Sequence, residues 1–480
     1  MRNAAWMAMV LVVTGCAAES KLPAVTPSAA SAPLALATGE EPADNKEPAD
    51  RPPQANGAWV GAAAESELLF TGAREAFLGV WVDVPKVRPS ARPKMDVALV
   101  IDTSGSMAGQ KIESARAAAR TFIQNLSDGD IVSLDTFDDT AKTLVPPTTL
   151  DVETRSKFLT AISRLGTGGS TNMFDGLNLG EAHVLSAPAS HSVRRVVVIS
   201  DGRANVGPST PDALGMLAER GLRSRVQVTS LGVGLDYDER TLNALAVRSS
   251  GRLYHIGDPR EMVATLTREV ALLGQTVASD ATVEIVPAPG IRIIGAEGVH
   301  SEWNGRSFRI PLGALFAGQH REALVRVALD NVEATEGRRP LASVRLVFRD
   351  PGDGDLERVQ ETVARVGFSS STDAVAHSVN DRVKAMATLV DAAKVQIAVA
   401  QSINGGDFST ADRDLGLAQR RLEAQAQATT SAPEKKRLSE QAASIGTART
   451  NVARAAAAPK PVQRDEALKM NKSGMSDLGY

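Results

Sequence analysis

The stretch VALVIDTSGS at residues 97–106 joins a short apolar run to a group of oxygen-bearing side chains. The run at 97–101 is rich in β-branched residues and is typical of a strand that is buried on both faces of a sheet. Asp102, Ser104 and Ser106 follow directly, which places one carboxylate and two hydroxyls at the carboxyl end of that strand. Because open α/β sheets bind ligands at this edge, the stretch predicts an α/β fold with a ligand site where the strand ends.

Strand and helix patterns alternate from residue 94 to residue 273. Short apolar runs recur at 131–134, 196–199 and 226–231, and the segments between them carry apolar residues at helical spacing. This alternation predicts a doubly wound, mainly parallel sheet with helices on both faces.

Four other segments differ in texture from this α/β region. At 61–93 a loosely alternating run predicts one or more strands that pack on a later domain, and at 274–370 short strands separated by turns predict a β-sandwich-like domain. Helix formers dominate 371–458, which predicts a helical region. The polar stretch 459–480 predicts a flexible tail.

The composition argues against some classes of partner and site. The 53 basic and 56 acidic residues give a net charge of −3, which disfavours nucleic acid or an anionic membrane as the main partner. With a single cysteine, Cys16, the chain has neither an internal disulfide framework nor a cysteine-based metal cluster. The role of Cys16 must therefore follow from its position.

The first 16 residues predict a signal peptide. Arg2 supplies a positive charge, and the apolar stretch at 4–13 is too short for a stable bilayer-spanning anchor. The four residues VTGC that end in Cys16 resemble the bacterial lipobox. That resemblance implies a lipidated cysteine that becomes the first residue of the mature protein, with a buried cysteine in an amphipathic first helix as the alternative.

The segment behind the signal peptide predicts a disordered tether. Residues 17–60 are rich in Ala, Pro, Ser and Glu, and repeated prolines prevent regular helix and strand pairing. Together with the signal peptide at 1–16, the tether predicts a protein that is lipid-anchored in the bacterial cell envelope and faces the periplasm or the cell exterior.

A second carboxylate and a hydroxyl-rich loop can join the site after the first strand. Asp201 ends another apolar strand, and parallel strands end at the same edge of a sheet, so Asp102 and Asp201 can meet there. The loop GGSTN at 168–172 offers further hydroxyls. Oxygen ligands of this kind suit a hard cation such as Mg²⁺, which retains waters and leaves a position for an incoming anion.

The region from 94 to 273 resembles the von Willebrand factor type A domain. Asp102, Ser104 and Ser106 match its D-x-S-x-S element. Asp201 matches the acid that closes the metal-ion-dependent adhesion site of that family. With the β-rich segment behind it, the chain is also similar to bacterial surface and secreted proteins related to the inter-alpha-trypsin inhibitor heavy chain.

The resemblance implies a ligand set for the metal. The implied direct ligands are Ser104, Ser106 and Thr171. Asp102 and Asp201 are implied to accept hydrogen bonds from metal-bound waters or to bind the ion directly. Because Ser170 is adjacent to Thr171, either residue could be the ligand from this loop. Mg²⁺ is the expected ion, with Mn²⁺ or Ca²⁺ as alternatives.

These observations predict a binding protein rather than an enzyme. The expected partner is a protein whose acidic side chain completes the metal coordination, while the membrane is contacted only through the lipid anchor. A metal-dependent hydrolase is an alternative, but it needs a general base near the metal, and none of the six histidines pairs with these motifs. A scaffold for an envelope complex, or an assembly factor that works beside a separate ATPase, remains open as well.

Overall fold

The computed structural model describes residues 60–86, 92–330 and 337–480. The predicted signal peptide with Cys16 and the predicted tether up to residue 59 lie outside the described residues, so both stay predictions. Among the helices of the described part of the chain, none combines the length and the apolarity that a membrane crossing requires.

The α/β region follows three N-terminal strands. Those strands are β1 (Val60–Ala64), β2 (Leu68–Phe70) and β3 (Glu75–Asp83). The strands of the α/β region are β4 (Met95–Asp102), β5 (Ile131–Phe137), β6 (Ala141–Thr149), β7 (Val193–Ser200), β8 (Val226–Val233) and β9 (Arg252–Ile256). Its helices are α1 (Gln110–Asn125), α2 (Val152–Ser163), α3 (Met173–Leu185), α4 (Pro211–Arg223), α5 (Glu239–Arg248) and α6 (Met262–Leu273).

The α/β region forms one sheet with the strand order β6-β5-β4-β7-β8-β9. Every neighbouring pair is parallel except β5 and β6, which are antiparallel. Helices α1, α2 and α6 share an apolar cluster with one face of the sheet, and α3, α4 and α5 share another with the opposite face. The predicted doubly wound, mainly parallel sheet is therefore confirmed. Because β4 and β7 are parallel neighbours, Asp102 and Asp201 lie at the same edge.

The segment after α6 forms two sheets together with the N-terminal strands. Its strands are β10 (Thr276–Pro287), β11 (Ile291–Glu297), β12 (Glu302–Trp303), β13 (Phe308–Phe316), β14 (His320–Leu329), β15 (Arg339–Asp350) and β16 (Leu356–Ser369). One sheet has the order β1-β3-β14-β11, and the other has the order β12-β13-β10-β15-β16-β2. A single apolar core contains buried residues of both sheets, such as Val325 and Ile285. This packing of one sheet on the other is that of a β-sandwich.

The helical region begins with the short helix α7 (Thr372–Ala376). The longer helices, called the helical array below, are α8 (Asp381–Asn404), α9 (Phe408–Ala428), α10 (Ala432–Ala456) and α11 (Lys460–Asp477). Helix α8 packs on α9 and α11, and α9 packs on α10. The sequence marks the boundaries between these helices, since Gly406 has a φ of +80° after α8 and Pro433 stands in the first turn of α10.

The prediction of a flexible tail at 459–480 is wrong. Helix α11 occupies most of that stretch, and Leu468 and Tyr480 belong to the apolar cluster that covers the α3, α4 and α5 face of the sheet. Arg464 also forms an ion pair with Glu239 at 2.6 Å. The stretch looks polar in sequence because few apolar residues carry its contacts, and those contacts are made to distant segments that local composition does not reveal.

Candidate metal centre

Asp102 ends β4 and is held in a fixed orientation by two hydrogen bonds. Its side chain is fully buried, Oδ1 accepts the backbone N–H of Ser104 at 2.8 Å, and Oδ2 accepts the hydroxyl of Ser200 at 2.6 Å. Burial raises the pKa of Asp102 and nearby Asp201 adds to that rise, while the bonds from Ser104 and Ser200 oppose it. Neutral donors therefore hold this acid in place, and its negative charge would be stabilised by a nearby cation.

Two serine hydroxyls connect Asp102's loop to the end of β7. The hydroxyl oxygens of Ser104 and Ser106 lie 3.1 Å apart, and Ser106 donates to Oδ1 of Asp201 at 2.8 Å. Ser104 is buried whereas Ser106 is exposed. The hydroxyl pair thus links the two acids of the site, and the site opens to solvent at Ser106.

Thr171 brings a third hydroxyl from a separate loop. Thr171 is buried, its backbone N–H donates to Oδ1 of Asn205 at 2.8 Å, and its carbonyl accepts the N–H of Asn205 at 3.0 Å. A Cβ atom placed on Gly202 would lie 3.4 Å from Oγ1 of Thr171 and 3.5 Å from Oγ of Ser106. The two hydroxyls therefore converge beside Gly202, next to Asp201. For Ser170 the structure gives a backbone bond to Oδ1 of Asp139 at 3.0 Å instead.

Two acids after β5 position the glycine-rich loop, and the sequence interpretation missed both. The carbonyl of Asp138 accepts the N–H of Asn172 at 2.8 Å, while Asp139 accepts the N–H of Ser170. Gly169 has a φ of +75°, and a Cβ there would lie 2.7 Å from Oδ2 of Asp139, so a side chain at this position would be strained and would displace Asp139. Two consecutive aspartates directly after an apolar strand are the sequence signal that could have predicted this contact with the glycine-rich loop.

Lys111 is a further residue of the site that the sequence interpretation missed. It lies in the first turn of α1, and its ammonium group donates to Oδ2 of Asp201. The Lys111 side chain is 23% exposed, whereas that of Asp201 is 0% exposed. The sequence signal that could have predicted this contact is a lysine at the start of the helix after the DTSGS loop. That helix begins at the same edge of the sheet as the predicted site.

The five predicted residues therefore come together, and their chemistry fits a hard divalent cation. Asp102, Ser104, Ser106, Thr171 and Asp201 offer carboxylate and hydroxyl oxygens only, which is the ligand type that Mg²⁺ and similar ions prefer. Asp201 already binds an ammonium group through Oδ2, so this buried carboxylate has a positively charged partner. No histidine of the described residues forms a hydrogen bond with Asp102 or Asp201.

A second group of possible metal ligands lies between α4 and β12. Ligand atoms of Glu219, His300 and Glu302 lie within 4.8 Å of one another. However, Arg223 donates to Glu219 at 2.6 Å, and Arg309 faces Glu302 at 3.6 Å. Because arginines already balance both carboxylates, this group is a weaker cation site than the one at the sheet edge.

Comparison with known protein families and sequences identifies the α/β region. The family described as von Willebrand factor type A domain matches residues 96–269. A Synechocystis sp. protein described as uncharacterized is 26% identical over 298 residues, which cover 59% of this chain and 69% of that protein. Inter-alpha-trypsin inhibitor heavy chain H3 of Mesocricetus auratus is 28% identical over 188 residues, 37% of this chain. That match spans only 21% of the hamster protein.

Two solved structures share the fold over most of the chain. A structure described as von Willebrand factor type A from Catenulispora acidiphila has a TM-score of 0.69 at 19% identity, covering 87% of this chain and 96% of that one. The ArnB paralog VWA2 from Sulfolobus acidocaldarius has a TM-score of 0.58 at 17% identity, covering 87% of this chain and 99% of that one. The shared fold thus extends beyond the α/β region into the segments that flank it.

Proposed function

We propose that this chain, which contains a von Willebrand factor type A domain at residues 96–269, captures a protein partner through a divalent metal ion. The ion is held by the five residues of the candidate centre, which are Asp102, Ser104, Ser106, Thr171 and Asp201. Domains of this family commonly mediate protein–protein interaction and metal-dependent binding. The observation that carries the proposal is the hydrogen bond from Ser106 to Asp201, because it brings oxygens of two separate strand ends into one group.

The ligand set explains why the partner supplies an acid. The implied direct ligands Ser104, Ser106 and Thr171 are neutral hydroxyls, so a bound divalent ion stays electrophilic where Asp102 and Asp201 act through metal-bound waters. The ion supplies a positive centre with a coordination position for one more oxygen, and a carboxylate is the strongest ligand for that position. Ser106 is exposed, so a side chain from another protein can approach on this side. Mg²⁺ is the ion we favour, ahead of Mn²⁺ and Ca²⁺.

The chain works at a membrane surface in this proposal. Cys16 carries the lipid, and the segment at 17–59 is the tether, since Val60 already belongs to β1. The folded part is held in the bacterial cell envelope, facing the periplasm or the exterior. The support is the coincidence of an apolar export signal, small residues and the single cysteine. A scaffold for an envelope complex uses the same surface and differs only in how many partners it joins.

We also propose that the chain is not an enzyme. A metal-dependent hydrolase would need a general base beside the ion. Asp102 and Asp201 are the acids of the proposed ligand set, and both are engaged by neighbouring donors. No described histidine hydrogen-bonds to either acid.

The test combines metal titration with partner capture. Calorimetric titration of Mg²⁺ and of Mn²⁺ into the full chain should give one binding site, and Asp201→Asn should abolish it. Affinity capture from detergent-solubilised envelope should then retain a partner in Mg²⁺ and release it in chelator. Asp128→Asn is the matched control, since Asp128 is an exposed acid before β5 and thus at the opposite edge of the sheet. Equal metal binding by the wild type and Asp201→Asn, or capture that chelator leaves unchanged, would overturn the proposal.

A further inference from the structure

We infer that Lys111 is an internal cation that competes with the metal for Asp201, so that it weakens metal binding and stabilises the metal-free site. This inference rests on the proposed metal site and concerns how that site is regulated. A metal ion then gains Asp201 only when the ammonium group leaves it.

The contacts of Asp201 show what the metal must displace. Ser106 donates to Oδ1 of Asp201, and Lys111 donates to Oδ2, so both carboxylate oxygens have a partner. Asp201 is buried, and removal of one partner from a buried carboxylate is costly unless another takes its place. In the absence of metal, Lys111 fills that need.

The charges of the site point the same way. Asp102 accepts only neutral donors, the N–H of Ser104 and the hydroxyl of Ser200. Within the described part of the chain, Lys111 is the one basic residue that pairs with either acid. The two carboxylates thus share a single positive charge, and an incoming divalent ion would meet that charge at short range. Like charges in a partly buried site repel strongly, so the ion and the ammonium group exclude each other.

Lys111 also has room to move. Its side chain is 23% exposed, and a lysine carries its charge at the end of a flexible stem that can turn toward water. Gly234 borders the stem, since a Cβ placed on Gly234 would lie 3.3 Å from Cε of Lys111. The absence of a side chain at Gly234 thus accommodates the stem where it now lies, and the exposed part of the side chain is its way to water. The ammonium group can therefore leave Asp201 without any change in the fold of α1.

The test compares two lysine-site variants with a control on the same helix. Lys111→Met keeps the stem and removes the charge, and Lys111→Arg keeps the charge. Arg120→Met is the control, because Arg120 is exposed on α1, about 14 Å along the helix axis from Lys111, which exceeds the screening length at physiological ionic strength. In calorimetric titrations, Lys111→Met should bind Mg²⁺ at least about tenfold more tightly than the wild type does. Lys111→Arg and Arg120→Met should bind within about twofold of the wild type.

Thermal unfolding separates this role from that of a simple structural ion pair. In chelator, Lys111→Met should unfold at a lower temperature than the wild type, because Asp201 has lost its counter-charge. Saturating Mg²⁺ should remove that difference or reverse it, because the metal supplies the charge and binds the variant more tightly. A deficit of the same size in chelator and in Mg²⁺ would overturn the inference.

The outcomes distinguish the two proposals. If the wild type and Lys111→Met bind Mg²⁺ with equal affinity, the competition fails while the metal site stands. If Lys111→Met binds Mg²⁺ and the wild type does not, the competition is supported in its strongest form. If neither protein binds Mg²⁺ or Mn²⁺, both the metal site and the competition are wrong.

Discussion

Ser106 donates its hydroxyl hydrogen to Oδ1 of Asp201 at 2.8 Å, and this bond connects the loop after β4 to the residue after β7. The two residues are distant in sequence, yet the parallel pairing of β4 with β7 ends both strands at one edge. Ser106 is exposed whereas Asp201 is buried, so the bond also connects the solvent side of the site to its interior. Changes at either residue therefore test the site directly.

Ser106→Ala should weaken Mg²⁺ binding by at least about tenfold, which corresponds to 1.4 kcal/mol. The variant lacks one hydroxyl ligand and leaves Oδ1 of Asp201 without its donor. The free energy of unfolding in chelator should fall by about 1–3 kcal/mol, since Oδ1 of the buried Asp201 loses its donor. Calorimetry and urea unfolding measure the two effects. Ser163→Ala, at an exposed serine of α2 whose hydroxyl bonds within its own helix, should change neither.

Asp201→Ala should destabilise the protein in chelator by about 1–3 kcal/mol, because it removes the partner of both Ser106 and Lys111. From the sequence alone hardly any loss of stability is expected, since two clustered acids repel each other and removal of one relieves that repulsion. Urea unfolding in chelator decides between these expectations. Asp128→Ala, at an acid that is 63% exposed, should have little effect. An unchanged midpoint for Asp201→Ala would show that the Lys111 contact contributes nothing.

The difference between these expectations shows what the sequence could and could not predict. The apolar run before Asp102 and the acid after β7 predict the sheet edge, because strand patterns and the carboxyl-edge rule are local properties. Lys111 was missed because its relevance depends on where α1 starts relative to β7. The polar α11 was missed because Leu468 and Tyr480 make their contacts with distant helices. Local sequence patterns thus predict the strands and helices. Contacts between segments that are distant in sequence determine that Lys111 pairs with Asp201 and that α11 packs on the helices of the sheet.

Leu468→Ala should lower the free energy of unfolding by about 2–5 kcal/mol, because the side chain is only 1% exposed and its removal leaves a cavity. The expected consequence is a lower temperature for the first thermal transition of the full chain. Lys469→Ala is the adjacent control, since that side chain is 59% exposed and should change stability by no more than about 0.5 kcal/mol. Equal melting of the two variants would mean that α11 does not pack on the sheet's helices in solution.

Cys16→Ser should release the protein from the membrane fraction, since the thiol that would carry the lipid is gone. The variant should accumulate as uncleaved precursor or as soluble protein in cell fractionation, detected by immunoblotting. Ser28→Ala, within the predicted tether, serves as a control that should fractionate like the wild type. Recovery of mature-length Cys16→Ser in membranes would contradict the lipoprotein prediction.

The stability of the protein should decline as the pH rises from about 6.5 to about 9, and His320 should cause part of that decline. Burial lowers the pKa of His320, but its hydrogen bonds to Asp83 and Glu322 outweigh this effect and raise it to about 9. A histidine whose pKa is higher in the folded state than in the unfolded state stabilises the fold fully below its unfolded pKa. This stabilisation disappears as the pH rises through the folded value.

The hydrogen bonds around His320 connect the sandwich to the helical array, so protonation of His320 should stabilise this junction. Nε2 of His320 contacts Glu322 at 2.7 Å, Arg437 of α10 donates to Glu322 at 2.8 Å, and Arg382 of α8 donates to Asp83 at 3.1 Å. Burial raises the pKa of Glu322, but the bonds from His320 and Arg437 outweigh it and lower the pKa to about 2. This acid therefore stays ionised throughout the window and adds no slope there.

His320→Gln should therefore remove the decline that His320 causes between about pH 6.5 and pH 9. Urea unfolding of the full chain at pH 6, 7.5 and 9 measures it, and the stability of the variant should vary less with pH than that of the wild type. His377→Gln is the control, because His377 is an exposed residue at the end of α7 whose ring bonds a backbone carbonyl in its own turn. A variant that keeps the full wild-type slope would show that the proton on His320 does not hold the helical array to the sandwich.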